Sequence, residues 1–230
     1  MAVVANAEKP PRKRRYVERP DIRASLLDAA EALIRDEGYG VATARRIAER
    51  VGMKHQAVFY YFGSQDELLV EVFRRAAKVQ RERLELALNS EQPIRAMWDI
   101  HRDPDVTKFT LEFMALANHN DMIRVEIAQN AEDVRKLEAD AVERHLKERG
   151  IEPLLSPQLV SILTSGLARL LGQEANLGIH LGHDEAEALV DGSLRTFEAI
   201  GVTTAKAETI VDAMSPDTIG ETAGKPIALI

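Results

Sequence analysis

Residues 43–62 read TARRIAERVGMKHQAVFYYF, and this stretch predicts two short helices joined by a tight turn. Three of its large apolar side chains can face inward together: Ile47, Val51 and Val58. Ala48 is small enough for a close approach between helices, and Gly52 allows the backbone dihedral angles that a tight turn requires. These features are typical of a helix-turn-helix, whose second helix is presented to the major groove of DNA.

The sequence on either side of this stretch completes an N-terminal bundle. Asp21 can cap a first helix whose apolar residues recur at spacings of three and four until Gly38. Thr43 is the predicted cap of the second helix. The third helix, which would read DNA, is predicted from about Lys54 to Phe62.

The remainder of the chain is also predicted to be helical. Ser64 and Glu67 form a capping box at the start of a long fourth helix that reaches about Leu88. Later helices are predicted between Pro and Gly residues, at 94–101, 105–118, 121–149, 157–178 and 184–200. Because strand-like alternation is nowhere sustained, we predict an all-α protein: an N-terminal three-helix bundle with a helix-turn-helix, followed by a larger C-terminal helical domain.

Composition shifts and helix breakers divide the chain into five predicted segments. They are a flexible basic arm (1–20), the helix-turn-helix domain (21–63), a connecting helix (64–88), a helical ligand-binding and dimerisation domain (89–203) and a C-terminal tail (204–230). The arm contains four consecutive basic residues, Arg12 to Arg15. These residues would enter a minor groove or follow phosphates, or else serve as a solubilising tail.

Charge is distributed unevenly along the 230 residues. The net charge of −7 combines a balance of +4 over residues 1–88 with −11 over residues 89–230. The basic part can therefore meet a polyanion, whereas the acidic part is suited to solvent, a partner subunit or a small ligand. This asymmetry predicts two separate tasks in one chain.

Several classes of protein are disfavoured by composition. The absence of cysteine excludes disulfides and thiolate metal sites, and no apolar run approaches the roughly 20 residues that span a bilayer. The N-terminus does not read as a secretory signal, so we expect a cytoplasmic protein without membrane contact. No motif for a cofactor, a metal or catalysis stands out, and the loop that holds His180 and His183 is interpreted as solvated. We therefore do not expect an enzyme.

The N-terminal segment from about Arg23 to Leu69 resembles the TetR family of transcriptional regulators. The resemblance rests on Ala29, Ala30, Leu33, Gly38, Thr43, Ile47, Ala48, Val51, Gly52, Val58, the aromatic run Phe59 to Phe62, Gly63, Ser64 and Glu67 to Leu69. It implies a homodimer that binds a palindromic operator in double-stranded DNA and is released by a small-molecule effector. A protein that a small molecule releases from its operator is expected to act as a repressor.

Three positions depart from the family pattern. The family usually has Ser or Thr where this chain has Lys54, Tyr where it has Phe59, and Lys where it has Gln65. A cap, a phenolic hydroxyl and an ammonium group are thereby lost. Lys54 and Tyr60 would restore a cation and a hydroxyl nearby.

The candidate DNA contacts divide by chemistry. Phosphates would be bound by hydroxyl and cationic groups, namely Thr43, Arg45, Lys54, and Tyr60 or Tyr61. Base edges would be read by His55, Gln56 and Ala57, because Gln pairs with adenine and an Ala methyl contacts a thymine methyl. His55 is ambiguous, since it can donate to guanine or to a phosphate. The alternative is that the aromatic residues belong to the core, which we favour for Phe62, while we expect Tyr60 to be exposed.

The last two predicted helices carry apolar residues on more than one face. In the first of them these are Leu159, Ile162, Leu163, Leu167, Leu170 and Leu171; in the second, Leu189, Val190, Leu194 and Phe197. A helix that is apolar on two sides is buried on two sides. We therefore predict that this pair packs against its copy in a homodimer; the alternative is a monomeric core.

An effector pocket is predicted from apolar residues interspersed with a few polar groups. The candidate residues are Trp98, His101, Phe109, Phe113, Met114, Ile127, Leu163 and Leu167. The alternative is that these side chains pack the core. The family resemblance implies an effector that is apolar and of modest size.

The sequence thus predicts a ligand-responsive, DNA-binding repressor. A second hypothesis is a helical enzyme or carrier that binds small molecules and has an incidental helix-turn-helix. A third is a protein-interaction module that dimerises without binding DNA.

Overall fold

The computed structural model describes residues 20–199, with side chains described for residues 21–193. The predicted arm, apart from Pro20, and the predicted tail lie outside the described residues, as do the side chains of Leu194 and Phe197. Within the described range the chain forms α1 (Pro20–Glu37), α2 (Ala44–Arg50), α3 (Gln56–Phe62), α4 (Gln65–Leu88), α5 (Pro93–Arg102), α6 (Pro104–Ala117), α7 (Asp121–Glu148), α8 (Pro157–Asn176) and α9 (His183–Ala199). Residues 20–199 contain no strand, and the predicted all-α class is confirmed.

Side chains at two of the predicted helix starts, those of α2 and α4, provide the hydrogen bonds that the first backbone amides need. Asp21, the predicted cap of the first helix, lies instead in the first turn of α1, which begins at Pro20. The hydroxyl of Thr43 accepts from the amide of Arg46 at 3.3 Å, and that of Ser64 accepts from the amide of Glu67 at 3.0 Å. Three further caps that we did not predict are Asp103 for α6, Asn120 for α7 and Ser156 for α8.

The third helix begins two residues later than predicted. The carbonyl of Lys54 accepts from the amide of Ala57, and that of His55 accepts from Val58, so these residues form a tighter turn of i→i+3 bonds. The α-helix therefore starts at Gln56.

Contacts divide the chain into two compact units, Met1–Leu69 and Val70–Ile230, and the division falls within α4. The core of the first unit consists of fully buried side chains from α1, α2, α3 and the start of α4: Leu26, Ala30, Leu33, Ile34, Ile47, Ala48, Val58 and Leu68. The inward orientation predicted for Ile47, Val51 and Val58 is confirmed for Ile47 and Val58, whereas Val51 is only half-buried.

The second unit is built around α5, α7 and α8. Its main apolar cluster joins α4, α5, α7 and α8 and contains Leu84, Leu88, Ile94, Met97, Ile100, Ala141, Val142, Leu146 and Val160. Trp98 of α5 forms a smaller apolar cluster with Ala168 and Leu171 of α8. Gly172 lies where α8 meets the end of α5, and a Cβ there would come within 2.9 Å of the Thr107 hydroxyl and 3.1 Å of the Arg102 carbonyl.

Candidate functional sites

The turn between α2 and α3 has the hydrogen bonds of a Schellman motif. Gly52 has a φ of 68°, its amide donates to the Glu49 carbonyl, and the Met53 amide donates to the Ala48 carbonyl. A residue with a Cβ is strained at this φ, which explains why the turn needs glycine. The turn ends α2 and directs the chain into α3.

Helix α3 has one buried and one exposed face. Ala57, Val58, Tyr61 and Phe62 are buried, whereas Lys54, His55, Gln56, Phe59 and Tyr60 are exposed. Phe59 is 47% exposed and Tyr60 48% exposed. The exposed set combines a cation, an imidazole, a carboxamide and two aromatic rings, which is a chemistry suited to phosphates and base edges.

Two of the eight predicted DNA contacts are corrected by burial. Ala57 is only 4% exposed, so its methyl group faces the core and has no surface left for a thymine methyl. Tyr61 is likewise buried and packs edge-on against the ring of Tyr60 at 5.0 Å, so the core interpretation holds for it. The core position of Phe62 is confirmed, and the guanidinium of Arg23 lies over its ring at 4.7 Å.

Helix α2 is held by side chains from its neighbours. The Gln65 side-chain oxygen accepts from the Ala44 amide at 2.9 Å, so this glutamine caps α2 where the family usually has a lysine. The guanidinium of Arg46 pairs with Glu37 at the end of α1 at 2.9 Å. Sequence reasoning missed the capping role of Gln65, because the partner amide lies 21 residues away.

Arg45 is the most exposed cation on α2. Its guanidinium donates to Glu49 one turn later at 2.8 Å, and this hydrogen bond raises the pKa of Arg45. Because this ion pair is exposed to solvent, it is weak, and a phosphate could replace Glu49 as the partner of Arg45.

The predicted effector residues do not form one group. Trp98 and Leu167 belong to the contacts between α5 and α8, whereas Phe109 and Phe113 stack at 4.9 Å and Phe113 meets Phe73 at 5.3 Å. His101 is buried, Ile127 and Leu167 are partly buried, and Met114 and Leu163 are exposed. The aromatic members lie in packed clusters, in agreement with the alternative interpretation.

A buried polar triad joins α5, α7 and α8. One oxygen of Glu138, which is 2% exposed, meets Nε2 of His101, and the other accepts from the Ser161 hydroxyl at 2.6 Å. A buried carboxylate is tolerated because both of its oxygens have partners. Glu138 was not predicted, although its sequence position four residues after Val134, on the apolar side of α7, could have indicated it.

Arg169 extends this polar region along α8. Its guanidinium donates to the Ser165 hydroxyl at 3.3 Å, and the Ser165 hydroxyl in turn donates to the Ser161 carbonyl at 2.7 Å. Burial lowers the pKa of Arg169, and the charge of Glu138 opposes that shift.

A cleft of about 500 Å³ lies between α4 and α7 in the second unit. Arg74 crosses it to Glu126 with two hydrogen bonds of 2.8 and 2.5 Å, and Arg81 crosses it to Asn130 at 2.8 Å. The hydrogen bond from Arg74 lowers the pKa of Glu126. The cleft is lined mainly by charged side chains and includes none of the eight predicted effector residues.

Helix α8 also has an outward apolar stripe. Its members are Leu159, Ile162, Leu163 and Leu170, each between 38 and 53% exposed. Gly166 lies on the same stripe at about 100° per residue, and a Cβ added to it would meet no described atom within 4 Å. The two apolar faces predicted for this helix are present: one faces the core of the unit and the other faces outward.

One histidine is placed differently from the prediction. His183 begins α9 and is buried, with Nε2 at 2.9 Å from Glu174, so it is not solvated as the loop interpretation held. Among the described residues no group of three or more His, Cys, Asp or Glu side chains is arranged to hold a metal. None of the helices within residues 20–199 has the length and hydropathy needed to cross a bilayer.

Residues 26–72 match the family model described as bacterial regulatory proteins, tetR family. The predicted resemblance to the TetR family is therefore confirmed. An HTH-type transcriptional repressor, Rv1474c of Mycobacterium tuberculosis, is 32% identical over 83 residues. That match covers 36% of this chain and 42% of the relative, so the chain spans less than half the length of the curated protein it matches.

Solved structures of the same fold extend over most of the chain. A transcriptional regulator from Saccharomonospora viridis in complex with choline aligns with a TM-score of 0.62, 20% identity and coverage of 70% of this chain and 88% of the other. The transcriptional regulator FadR from Bacillus subtilis in complex with stearoyl-CoA aligns with a TM-score of 0.57 and 17% identity, over 76 and 96% of the two chains. These likenesses show the fold, a helix-turn-helix domain followed by a helical domain. The matched proteins are named as transcriptional regulators or, in one case, as a transcriptional repressor.

Proposed function

We propose that the protein is a ligand-responsive transcriptional repressor that binds a palindromic operator as a homodimer in the cytoplasm. The observation that supports DNA binding best is the exposed face of α3, from which Gln56 and Tyr60 project, with exposed Lys54 and His55 in the turn that leads into the helix. Polar and cationic side chains concentrated on the outer face of such a helix suit phosphates and base edges.

The outward stripe of α8 supports the homodimer. Four large apolar side chains on one face, with Gly166 among them, form a surface that a second copy can cover closely. Obligate dimers cover surfaces of this kind, typically burying about 2,000 Å² or more. In a dimer, two copies of α3 would contact half-sites about 34–36 Å apart, which is one turn of DNA.

A gel shift with duplex DNA from upstream of the coding sequence tests DNA binding. The wild-type protein should shift this duplex and not a scrambled one, and the logarithm of its affinity should fall linearly with the logarithm of salt concentration. Equal affinity for both duplexes at moderate salt would count against the proposal.

Release by an apolar effector is a separate part of the proposal. An effector changes DNA affinity only if it binds one conformation of the protein better than the other. Stearoyl-CoA, bound by one protein of this fold, is a suitable probe, and free CoA and choline are its polar controls. We expect the acyl compound to reduce the gel shift and the controls to leave it unchanged; the opposite pattern would require a polar effector.

The enzyme-or-carrier hypothesis makes a different prediction. If the helix-turn-helix is incidental, Gln56→Ala and Tyr60→Ala leave every measurable activity intact. If it reads DNA, both substitutions weaken the shift while the fold is preserved, because both side chains are exposed.

A further inference from the structure

Phe59 is an apolar side chain on the face of α3 that we propose reads DNA. It is 47% exposed, although a phenylalanine is usually buried. Its ring has no hydroxyl and so cannot form a hydrogen bond with a phosphate. Any contribution of Phe59 to recognition must therefore come from apolar contact.

The position of Phe59 on the helix is central to the exposed face. At about 100° per residue, Phe59 projects between His55, one turn earlier, and Gln56. The ring of His55 packs edge-on against the Phe59 ring, with centroids 6.3 Å apart and an angle of 86° between the planes. This contact holds the phenyl ring beside the two side chains with the chemistry to read base edges.

The major groove offers one apolar group, the C5-methyl of thymine. Ala57, the other small apolar residue near the start of α3, faces the core and cannot contact it. We propose that Phe59 is a specificity-determining residue that recognises a thymine methyl in each half-site, next to the bases that His55 and Gln56 contact. This inference rests on the proposed DNA-binding function.

The test removes the methyl from the DNA. Wild-type protein is used to select an operator from a random duplex pool, and each thymine of that operator is then replaced in turn by deoxyuridine. This change preserves base pairing and removes only the C5-methyl. At one thymine per half-site, we expect the affinity to fall about fourfold for one replacement and about 16-fold when both half-sites are replaced.

Substitutions of Phe59 complete the test. Phe59→Ala should bind the thymine and deoxyuridine operators with equal affinity, and Phe59→Leu should retain part of the preference. Tyr60→Phe is the matched control: it removes a hydroxyl assigned to a phosphate, so it should lower the affinity for both operators equally, while it keeps the apolar ring. It should discriminate like the wild type, and circular dichroism should show that all three variants are folded.

The outcomes separate this inference from the function on which it rests. Sequence-preferring binding that is insensitive to deoxyuridine at every thymine would overturn the role of Phe59 and leave the DNA-binding function intact. Sensitivity that persists in Phe59→Ala would assign the methyl contact to another residue and overturn the inference. Failure to enrich any duplex would overturn both.

Discussion

Individual side chains in the second unit stabilise the packing of three helices. Glu138 connects His101 of α5 with Ser161 of α8, and its charge also acts on Arg169. A carboxylate in this position determines which residues of α5, α7 and α8 face each other, since an apolar contact would tolerate small shifts but a hydrogen-bonded one would not.

Replacing Glu138 by Ala should destabilise the protein strongly. The substitution leaves His101 and Ser161 without their acceptor and Arg169 without an opposing charge, so we expect a loss of about 3–5 kcal/mol in the free energy of unfolding. Urea denaturation at a fixed protein concentration measures it. Glu143→Ala, at an exposed position of the same helix, should change the free energy by less than about 0.5 kcal/mol. A loss below about 1 kcal/mol for Glu138→Ala would contradict a structural role for the triad.

The ion pair between Arg74 and Glu126 should make stability depend on pH. Because the pKa of Glu126 is lowered in the folded protein, the pair stabilises the fold above the ordinary value of 4.5, and this contribution is lost as the pH falls through the folded value. Arg74→Gln should therefore lower stability at pH 7 by less than about 1 kcal/mol, since both groups are partly exposed, and the difference from wild type should shrink towards pH 3.

Urea denaturation of both proteins between pH 7 and pH 3 measures this difference. Lys78→Gln on the same helix is the control, because it removes the same charge without affecting Glu126. Its own ion pair, with Glu82, is longer and more exposed, so its difference from wild type should be smaller at pH 7. A difference that stays constant down to pH 3 would show that Arg74 acts through packing and not through the charge of Glu126.

Some of these side-chain roles could be predicted from the sequence, and others could not. Helix caps such as Thr43 and Ser64 were predictable, because their partner amides lie within three residues. The roles of Gln65 and Glu138 were not predictable, because only the tertiary structure identifies their partners. Gln65 binds the amide of Ala44, 21 residues away, and Glu138 binds His101 and Ser161, which lie 37 and 23 residues away.

At the scale of helices, the division of α3 into two faces determines which residues can meet DNA. Periodicity predicted the buried positions of Val58 and Phe62 and the exposure of Tyr60. It did not determine the rotation of a helix of seven residues finely enough to place Ala57 and Tyr61, which lie on the buried side. The sequence therefore identified the helix, while the structure separates its exposed face from its buried face.

Two substitutions, one in the turn before α3 and one on its exposed face, should have different consequences. Lys54→Ala removes a cation that would neutralise a phosphate, so affinity should fall for every sequence and the salt slope should decrease by about 0.9 for each such phosphate. Gln56→Ala removes a side chain that would pair with a base, so discrimination at one operator position should fall by about 1–3 kcal/mol with the slope unchanged.

Fluorescence anisotropy with the selected operator and its single-base variants measures both effects. Lys147→Ala, an exposed charge in the second unit, is the control and should affect neither quantity. If Lys54→Ala and Gln56→Ala gave the same pattern, the division into phosphate-binding and base-reading side chains would be wrong.

In the molecule as a whole, the outward stripe of α8 exposes four large apolar side chains that nothing in a single chain covers among the described residues. The apolar residues on two sides of this helix in the sequence predicted the stripe, since a helix with only one apolar face would bury that face in the core of its own unit. Phe109 and Phe113, which were predicted to bind an effector, pack against each other, and Phe113 also packs against Phe73. These residues therefore do not indicate which effector the protein binds.

Introducing a charge into the α8 stripe should convert the proposed dimer into a monomer. Leu163→Glu places a carboxylate in the centre of the surface, and DNA affinity should then fall by about 10²–10⁴-fold, because the half-sites are no longer bound together. Sedimentation equilibrium measures the mass. Leu86→Glu, at a more exposed leucine of α4, should remain dimeric. A monomeric wild-type protein would contradict the role assigned to the stripe.

The central claim is that the exposed face of α3 reads the edges of duplex DNA. Site-specific photo-crosslinking with a photoreactive residue at position 56, compared with one at position 147, tests it most directly. The claim predicts crosslinks from position 56 to bases within the selected operator, which unlabelled operator competes away and scrambled duplex does not, and none from position 147. Crosslinks from position 147 alone, or equal crosslinking to scrambled DNA from position 56, would contradict it.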